Sequence, residues 1–212
     1  MTDTPDSIPV PPDSTLAAYA AHASEFVDEW INQPTRVDLQ ADLKQWFIAA
    51  GITADIGCGS GREVAWLSDQ GWPCVGYDAS PELLALAQER FPKLDLRASR
   101  LPELAEIRDG SYDNVLCETV LMHLPVGVVP AAVRSLLRIL RPGGVLYMSW
   151  RVTEGGDFDD ERGRHYTSFP ASVVTAALSD ADVLHQEERT SQSSGKRIAI
   201  AVARKRSAVT AT

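Results

Sequence analysis

At 212 residues, 44% hydrophobic and 23% charged, the chain has the length of one domain and enough apolar content to bury a core. A formal charge of −9 argues against a nonspecific grip on nucleic acid, because that affinity rests on Lys and Arg displacing counterions. Three cysteines (Cys58, Cys74, Cys117), an odd number without C-x-x-C spacing, indicate neither a disulfide framework nor a zinc site, and no apolar run approaches the roughly 18 residues that cross a membrane.

The opening M-T-D-T-P-D-S-I-P-V-P-P-D-S is acidic and proline-rich rather than basic and then apolar, so residues 1–14 read as a flexible tail and not a secretory signal. With unpaired cysteines, this predicts a cytoplasmic protein. Leu16, Tyr19, Ala20, Ala23, Phe26, Val27 and Trp30 recur at helical spacing, and Leu39, Leu43, Trp46 and Phe47 repeat the pattern after Pro34. Two helices are therefore expected over 15–50.

From Ile52 strands alternate with helices. T-A-D-I is a first strand, R-E-V-A-W-L-S-D-Q a helix stopped at Gly71, P-C-V-G-Y a second strand. Ser80 and Pro81 supply an N-cap and a first-turn proline for S-P-E-L-L-A-L-A-Q-E-R-F. Third and fourth strands follow at L-D-L-R-A and Y-D-N-V-L-C-E, then a helix V-P-A-A-V-R-S-L-L-R-I-L halted by R-P-G-G, and a fifth strand V-L-Y-M-S-W. Such alternation predicts a parallel sheet with right-handed crossovers. After a helix around 172–178, L-H-Q-E-E-R-T and R-I-A-I-A-V-A-R flank the polar loop S-Q-S-S-G-K, which reads as an antiparallel hairpin. The basic run K-R-I-A-I-A-V-A-R-K-R is then a buried strand with charged ends. The fold class is α/β: a Rossmann-like, doubly wound, seven-stranded sheet, mostly parallel, with helices on both faces.

The first strand runs into D-I-G-C-G-S-G-R, a turn whose glycines admit close backbone approach at the carboxyl end of the sheet. The dinucleotide fingerprint wants a glycine three residues after Gly59, and Arg62 stands there, which argues against NAD. Asp78, about twenty residues beyond Gly57, is placed to accept two ribose hydroxyls of any adenosine cofactor.

With G-Y-D-A-S after the second strand, S-Y-D-N-V-L-C-E-T-V-L-M-H-L through the fourth and L-R-I-L-R-P-G-G-V-L-Y-M-S into the fifth, the chain resembles class I S-adenosylmethionine-dependent methyltransferases over residues 50–204. The resemblance implies a single methyltransferase domain over 15–206, with 15–50 forming part of a lid and 51–206 the core. It implies that Asp55, Gly57, Cys58 and Gly59 face the methionine moiety, Asp78 the ribose, and Ala79 the adenine. Ser99, Arg100 and Leu101 would lie along the adenine edge, where the family's frequent acidic residue is missing, and Glu118 near the cofactor's amino group.

The implied reaction is methyl transfer by in-line displacement, which needs a well-placed acceptor and no metal. Base candidates are His123, His165 and Tyr166, although His123 equally suits a structural hydrogen bond. Tyr19 and His22 resemble the aromatic openings of small-molecule members, and with Trp150 and Arg151 they are candidates for the acceptor wall. No N-P-P-Y or D-P-P-Y follows the fourth strand, so a small soluble acceptor is expected. A protein or RNA acceptor and a noncatalytic cofactor-binding protein stay open, as does oligomeric state.

Overall fold

The computed structural model describes residues 14–153 and 155–207. The expected tail lies outside these residues, except for Ser14, which opens the first helix. Two helices, α1 (Ser14–Asn32) and α2 (Val37–Trp46), precede the sheet, and α1 is interrupted by non-helical backbone at His22. The alternating region then gives β1 (Thr53–Ile56), α3 (Arg62–Asp69), β2 (Cys74–Asp78), α4 (Pro81–Arg90), β3 (Asp95–Ala98) and β4 (Tyr112–Glu118). A 3-10 turn (Leu121–His123), α5 (Val129–Ile139) and β5 (Leu140–Arg151) follow.

In the long segment after β5, β6 (Phe158–Asp159) and β7 (His165–Tyr166) pair into a small antiparallel ribbon. Then come α6 (Ala171–Ala176) and the closing hairpin β8 (Ala181–Thr190) and β9 (Arg197–Lys205). The main sheet has the order β3-β2-β1-β4-β5-β9-β8, with β9 antiparallel to both neighbours and the first five strands parallel. The strand order reverses between β1 and β4, where open α/β sheets leave a crevice beyond their carboxyl ends.

Period-two alternation along the strands assigns the two faces. On β5, Leu146, Met148 and Trp150 join Ala199, Ala201 and Ala203 of β9 in the core beneath α5 and α6. Val145 and Tyr147 face the other way with Ile198, Ile200 and Val202, against Leu39 and Leu43 of α2 and Leu67 of α3. The basic run near the end is thus a buried strand, with Arg206 outside it paired to Asp182. Helix α1 packs through Ala23, Phe26 and Val27 onto Leu83 of α4, which carries it across the carboxyl end of the sheet. Asp42 of α2 accepts from Tyr147 Oη and Arg189, so α2 and the closing hairpin are tied together.

Candidate active site

At the carboxyl ends of β1, β2, β4 and β5 lies a cavity of about 510 Å³, roofed by α1 and the β6–β7 ribbon. The glycine turn forms its floor. Gly57 sits at φ +82°, and a Cβ there would come 2.2 Å from Val120 Cγ2; at Gly59 (φ +49°) it would come 3.0 Å from the Trp30 ring of α1. Close approach at these two positions is therefore first an approach of the protein's own chain. Arg62, which stands where a dinucleotide turn has glycine, donates to the Trp30 carbonyl and to Glu63, anchoring the lid helix to α3.

Asp78, at the end of β2, accepts from Gly59 N–H at 2.8 Å and Ser80 N–H at 2.9 Å. Burial raises its pKa, and the backbone donors of Ser80, Gly59 and Ala79 work against that rise. A carboxylate has about four acceptor positions, so two backbone bonds leave capacity for a ligand's hydroxyls. The helix that follows is capped independently, by Ser80 Oγ accepting from Leu83 N–H. Ala79, Ser99, Arg100 and Leu101 continue the wall. Ser99 Oγ donates to Glu106 at 3.0 Å, which brings a carboxylate within one hydrogen bond of this wall.

Glu118 closes β4 and is held bidentately by Arg36, with Nη1 to Oε2 at 2.7 Å and Nη2 to Oε1. Thr119 and Ser149 hydroxyls also donate to it. Burial would raise its pKa, but the Arg36 charge and these hydrogen bonds bring it below the usual carboxylate value. Arg36 lies 3.6 Å from Glu63 as well, and its Nε is buried without a partner. Cys58 lines the turn, its thiol raised well above the ordinary pKa by burial and then by Asp78 and Asp55.

Asp55 is behind the wall rather than on it: it is 3% exposed, and burial followed by the charges of Glu63, Glu118 and Asp78 raises its pKa well above the ordinary value. Of the residues expected to act on an acceptor, Tyr19, His123, Arg151 and Tyr166 line the cavity. His123 Nδ1–H donates to the His165 carbonyl at 2.6 Å, which leaves Nε2 as an acceptor 3.4 Å from Tyr19 Oη. Burial lowers the His123 pKa to about 4 despite that hydrogen bond, and the Arg164 charge adds to the lowering. Tyr19 and Tyr166 are raised by burial and stay protonated.

Three candidates lie elsewhere. Trp150 is 1% exposed and stacks on Phe169, because strand alternation turns it to the α5–α6 face while Arg151 faces the cavity. His22 sits at the interruption in α1, half-exposed beside Glu25. The His165 ring points to Asp159 at 2.7 Å on the ribbon's outer side, and only its carbonyl serves the site. The structure also adds residues the sequence did not single out. Arg36 follows an unremarkable proline between helices, and Arg164 lies in R-G-R, two residues from a singled-out tyrosine.

Residues 54–148 match the family model described as "Methyltransferase domain". That segment, a little under half of the chain, is similar to methyltransferase domains. The ubiquinone biosynthesis O-methyltransferase of Xanthomonas oryzae pv. oryzae is 32% identical over 106 residues, 48% of this chain and 44% of that protein. The chain thus spans less than half the length of the curated relatives it matches. Among solved structures, Burkholderia thailandensis 1,6-didemethyltoxoflavin-N1-methyltransferase, with 1,6-didemethyltoxoflavin and S-adenosylhomocysteine bound, aligns at TM-score 0.70 and 21% identity over 97% of this chain and 94% of its own. The [4+2]-cyclase SpnF aligns equally well, at TM-score 0.70 and 16% identity over 95% and 99%. These likenesses show the fold alone, and a fold does not fix a reaction.

Proposed function

We propose that the chain is an S-adenosylmethionine-dependent methyltransferase acting on a small-molecule acceptor, with residues 15–206 as one domain lidded in part by α1 and α2. The observation that carries this is the Arg36–Glu118 pair beside the glycine turn. Glu118 suits the ammonium of an amino acid tail, and Arg36 Nε, buried without a partner, suits its carboxylate. Asp78 suits the ribose diol, and Ala79, Ser99 and Leu101 the adenine, so one cavity wall complements an adenosine joined to an amino acid.

When bound, S-adenosylmethionine would supply an electrophilic methyl for in-line displacement by the acceptor's lone pair. The protein's part is to hold the acceptor in line and exclude water. Tyr19 from the lid, Tyr166 from the ribbon and His123 after β4 meet on the acceptor side, the His123 and Tyr166 rings 4.8 Å apart. With its pKa near 4, His123 accepts a hydrogen bond at Nε2 without becoming charged, and the Tyr166 hydroxyl donates rather than serving as a base. Their role in this reading is positioning.

The roofed cavity and the acidic composition favour a small acceptor over a macromolecule. Three free cysteines and the lack, among the described residues, of any helix long and apolar enough to cross a membrane support a cytoplasmic placement. Calorimetry should show binding of S-adenosylmethionine and S-adenosylhomocysteine and none of NAD. Binding of NAD alone, or of none of them, would overturn the proposal.

A further inference from the structure

Charge is unevenly divided within the cavity. The wall proposed for the cofactor carries Asp78, Glu118 and Glu63 alongside Arg36, Arg62 and Arg100, so both signs meet there, whereas the acceptor side is built from Arg151, Arg164, two tyrosines and a neutral imidazole. Arg164 is balanced by Asp160 at 2.7 Å and lies over the Phe26 ring. Arg151 is not balanced. Its guanidinium is 5.2 Å from the Phe158 ring centre and 5.1 Å from that of Tyr166, two rings stacked 4.8 Å apart, and it contacts the Tyr166 hydroxyl.

The acidic residues near the ribbon are engaged elsewhere, Asp159 with His165, Asp160 with Arg164, and Asp157 with the Ser168 N–H. Among the described residues, Arg151 has no carboxylate within ion-pair distance. Ring contacts do not use the in-plane N–H donors of a guanidinium and the Tyr166 hydroxyl takes only one of them, so a half-buried cation without an anion gives up hydration for little return. A carboxylate takes two of those donors at once.

Resting on the transferase reading, the geometry points to an acceptor that is a small organic acid, its carboxylate held by Arg151 and its unsaturated body against Tyr166, Met122 and Leu124.

The test is calorimetric, with S-adenosylhomocysteine present, using 4-hydroxybenzoate, 3,4-dihydroxybenzoate, cinnamate and indole-3-carboxylate against their primary amides. At least one acid should bind about tenfold or more tighter than its amide, the range of a charge-assisted hydrogen bond. Arg151→Gln should bring that ratio close to one while leaving S-adenosylhomocysteine affinity within about twofold, and Arg151→Lys should keep part of the preference. Equal binding of every acid and amide, no binding by any acid, or a preference that survives Arg151→Gln would each overturn the inference. Repeating the titrations without S-adenosylhomocysteine separates the two readings. Loss of nucleoside binding alone sinks the transferase, whereas loss of the acid preference alone sinks the anion site.

Discussion

Replacing Arg36 by Met tests the centre of the site. In the intact protein the Arg36 and Glu118 side chains are 13% and 11% exposed, so their charges are little screened by solvent. Arg36→Met leaves Glu118 with only the Thr119 and Ser149 hydroxyls, near Asp55 and Glu63. Removing one member of a buried pair costs about 3–5 kcal/mol, whereas removing both charges together is often close to neutral. Urea unfolding at pH 7 should show a loss of that size for Arg36→Met, and the double variant Arg36→Met, Glu118→Gln should recover about half of it or more. The pH dependence should also change sign. With Arg36 present, Glu118 has a lowered folded pKa, so its contribution is complete above the unfolded value and is lost as pH falls through the folded one. Without Arg36, burial raises the folded pKa, the folded state binds the extra proton, and this contribution instead grows on acidification. Asp55 is raised in both proteins and drops out of the comparison. A cost under about 1 kcal/mol, or a double variant no more stable than either single one, would refute the coupling.

Gly57→Ala should destabilise by about 3 kcal/mol or more, from left-handed strain of roughly 1–2 kcal/mol plus the contact with Val120. Adding Val120→Ala should relieve the second part only, as read by thermal and urea unfolding, because the nearest remaining Val120 atom would be its Cβ at 3.4 Å. Asp78→Asn must turn an amide N–H₂ toward either Gly59 N–H or Ser80 N–H; S-adenosylhomocysteine affinity measured by calorimetry should fall roughly tenfold to hundredfold. His123 is neutral in the fold with a pKa near 4 against 6.5 unfolded, so the unfolded chain binds more protons between those values. Stability should therefore decline as pH falls from about 6.5 toward 4, by about 3 kcal/mol in total, and His123→Gln should remove that share of the decline in urea titrations run across the range.

The parallel core was legible because its signals are local. Ser80–Pro81 starts a helix, R-P-G-G stops one, and period-two alternation of Val145 to Trp150 marks a strand with two buried faces. The β6–β7 ribbon was not legible. Each strand has two residues, too short for a period, and the ribbon is held by contacts distant in sequence, such as the His165 N–H to Thr15 Oγ1. Site residues divide in the same way. Asp78, Glu118 and the glycines are fixed by their places at strand ends, whereas Arg36 is defined only by meeting Glu118, 82 positions away. Trp150 shows the limit of proximity in sequence: one step from Arg151 on a strand reverses the face.

That division has a functional counterpart. Asp78, Glu118 and the glycine turn, which line the proposed cofactor wall, fall within residues 54–148, the segment that matches the methyltransferase domain model, and Arg36 reaches that wall from between α1 and α2. Tyr19, Arg151, Arg164 and Tyr166, which with His123 line the proposed acceptor side, lie outside that segment, on α1, at the β5 end and on the ribbon, whereas His123 lies within it. A fold built this way can keep its donor while the roof sets its acceptor, provided the roof is separable from the core. The ribbon is held to α1 by Arg162, which pairs with Glu29 at 2.7 Å and lies over Phe26 at 4.8 Å. The ion pair is more than a third exposed on both sides, worth well under 1 kcal/mol, and the ring contact adds about 0.5–1 kcal/mol. Arg162→Ala should therefore loosen the ribbon without detaching it, since Arg164 remains over Phe26 and His165 on Thr15. Hydrogen exchange should quicken about three- to tenfold over residues 157–167 and stay unchanged in β1, β4 and β5, with S-adenosylhomocysteine affinity preserved. Faster exchange spreading into β4, or weaker nucleoside binding, would mean that roof and core are one cooperative unit and that the acceptor side cannot vary independently of the donor side.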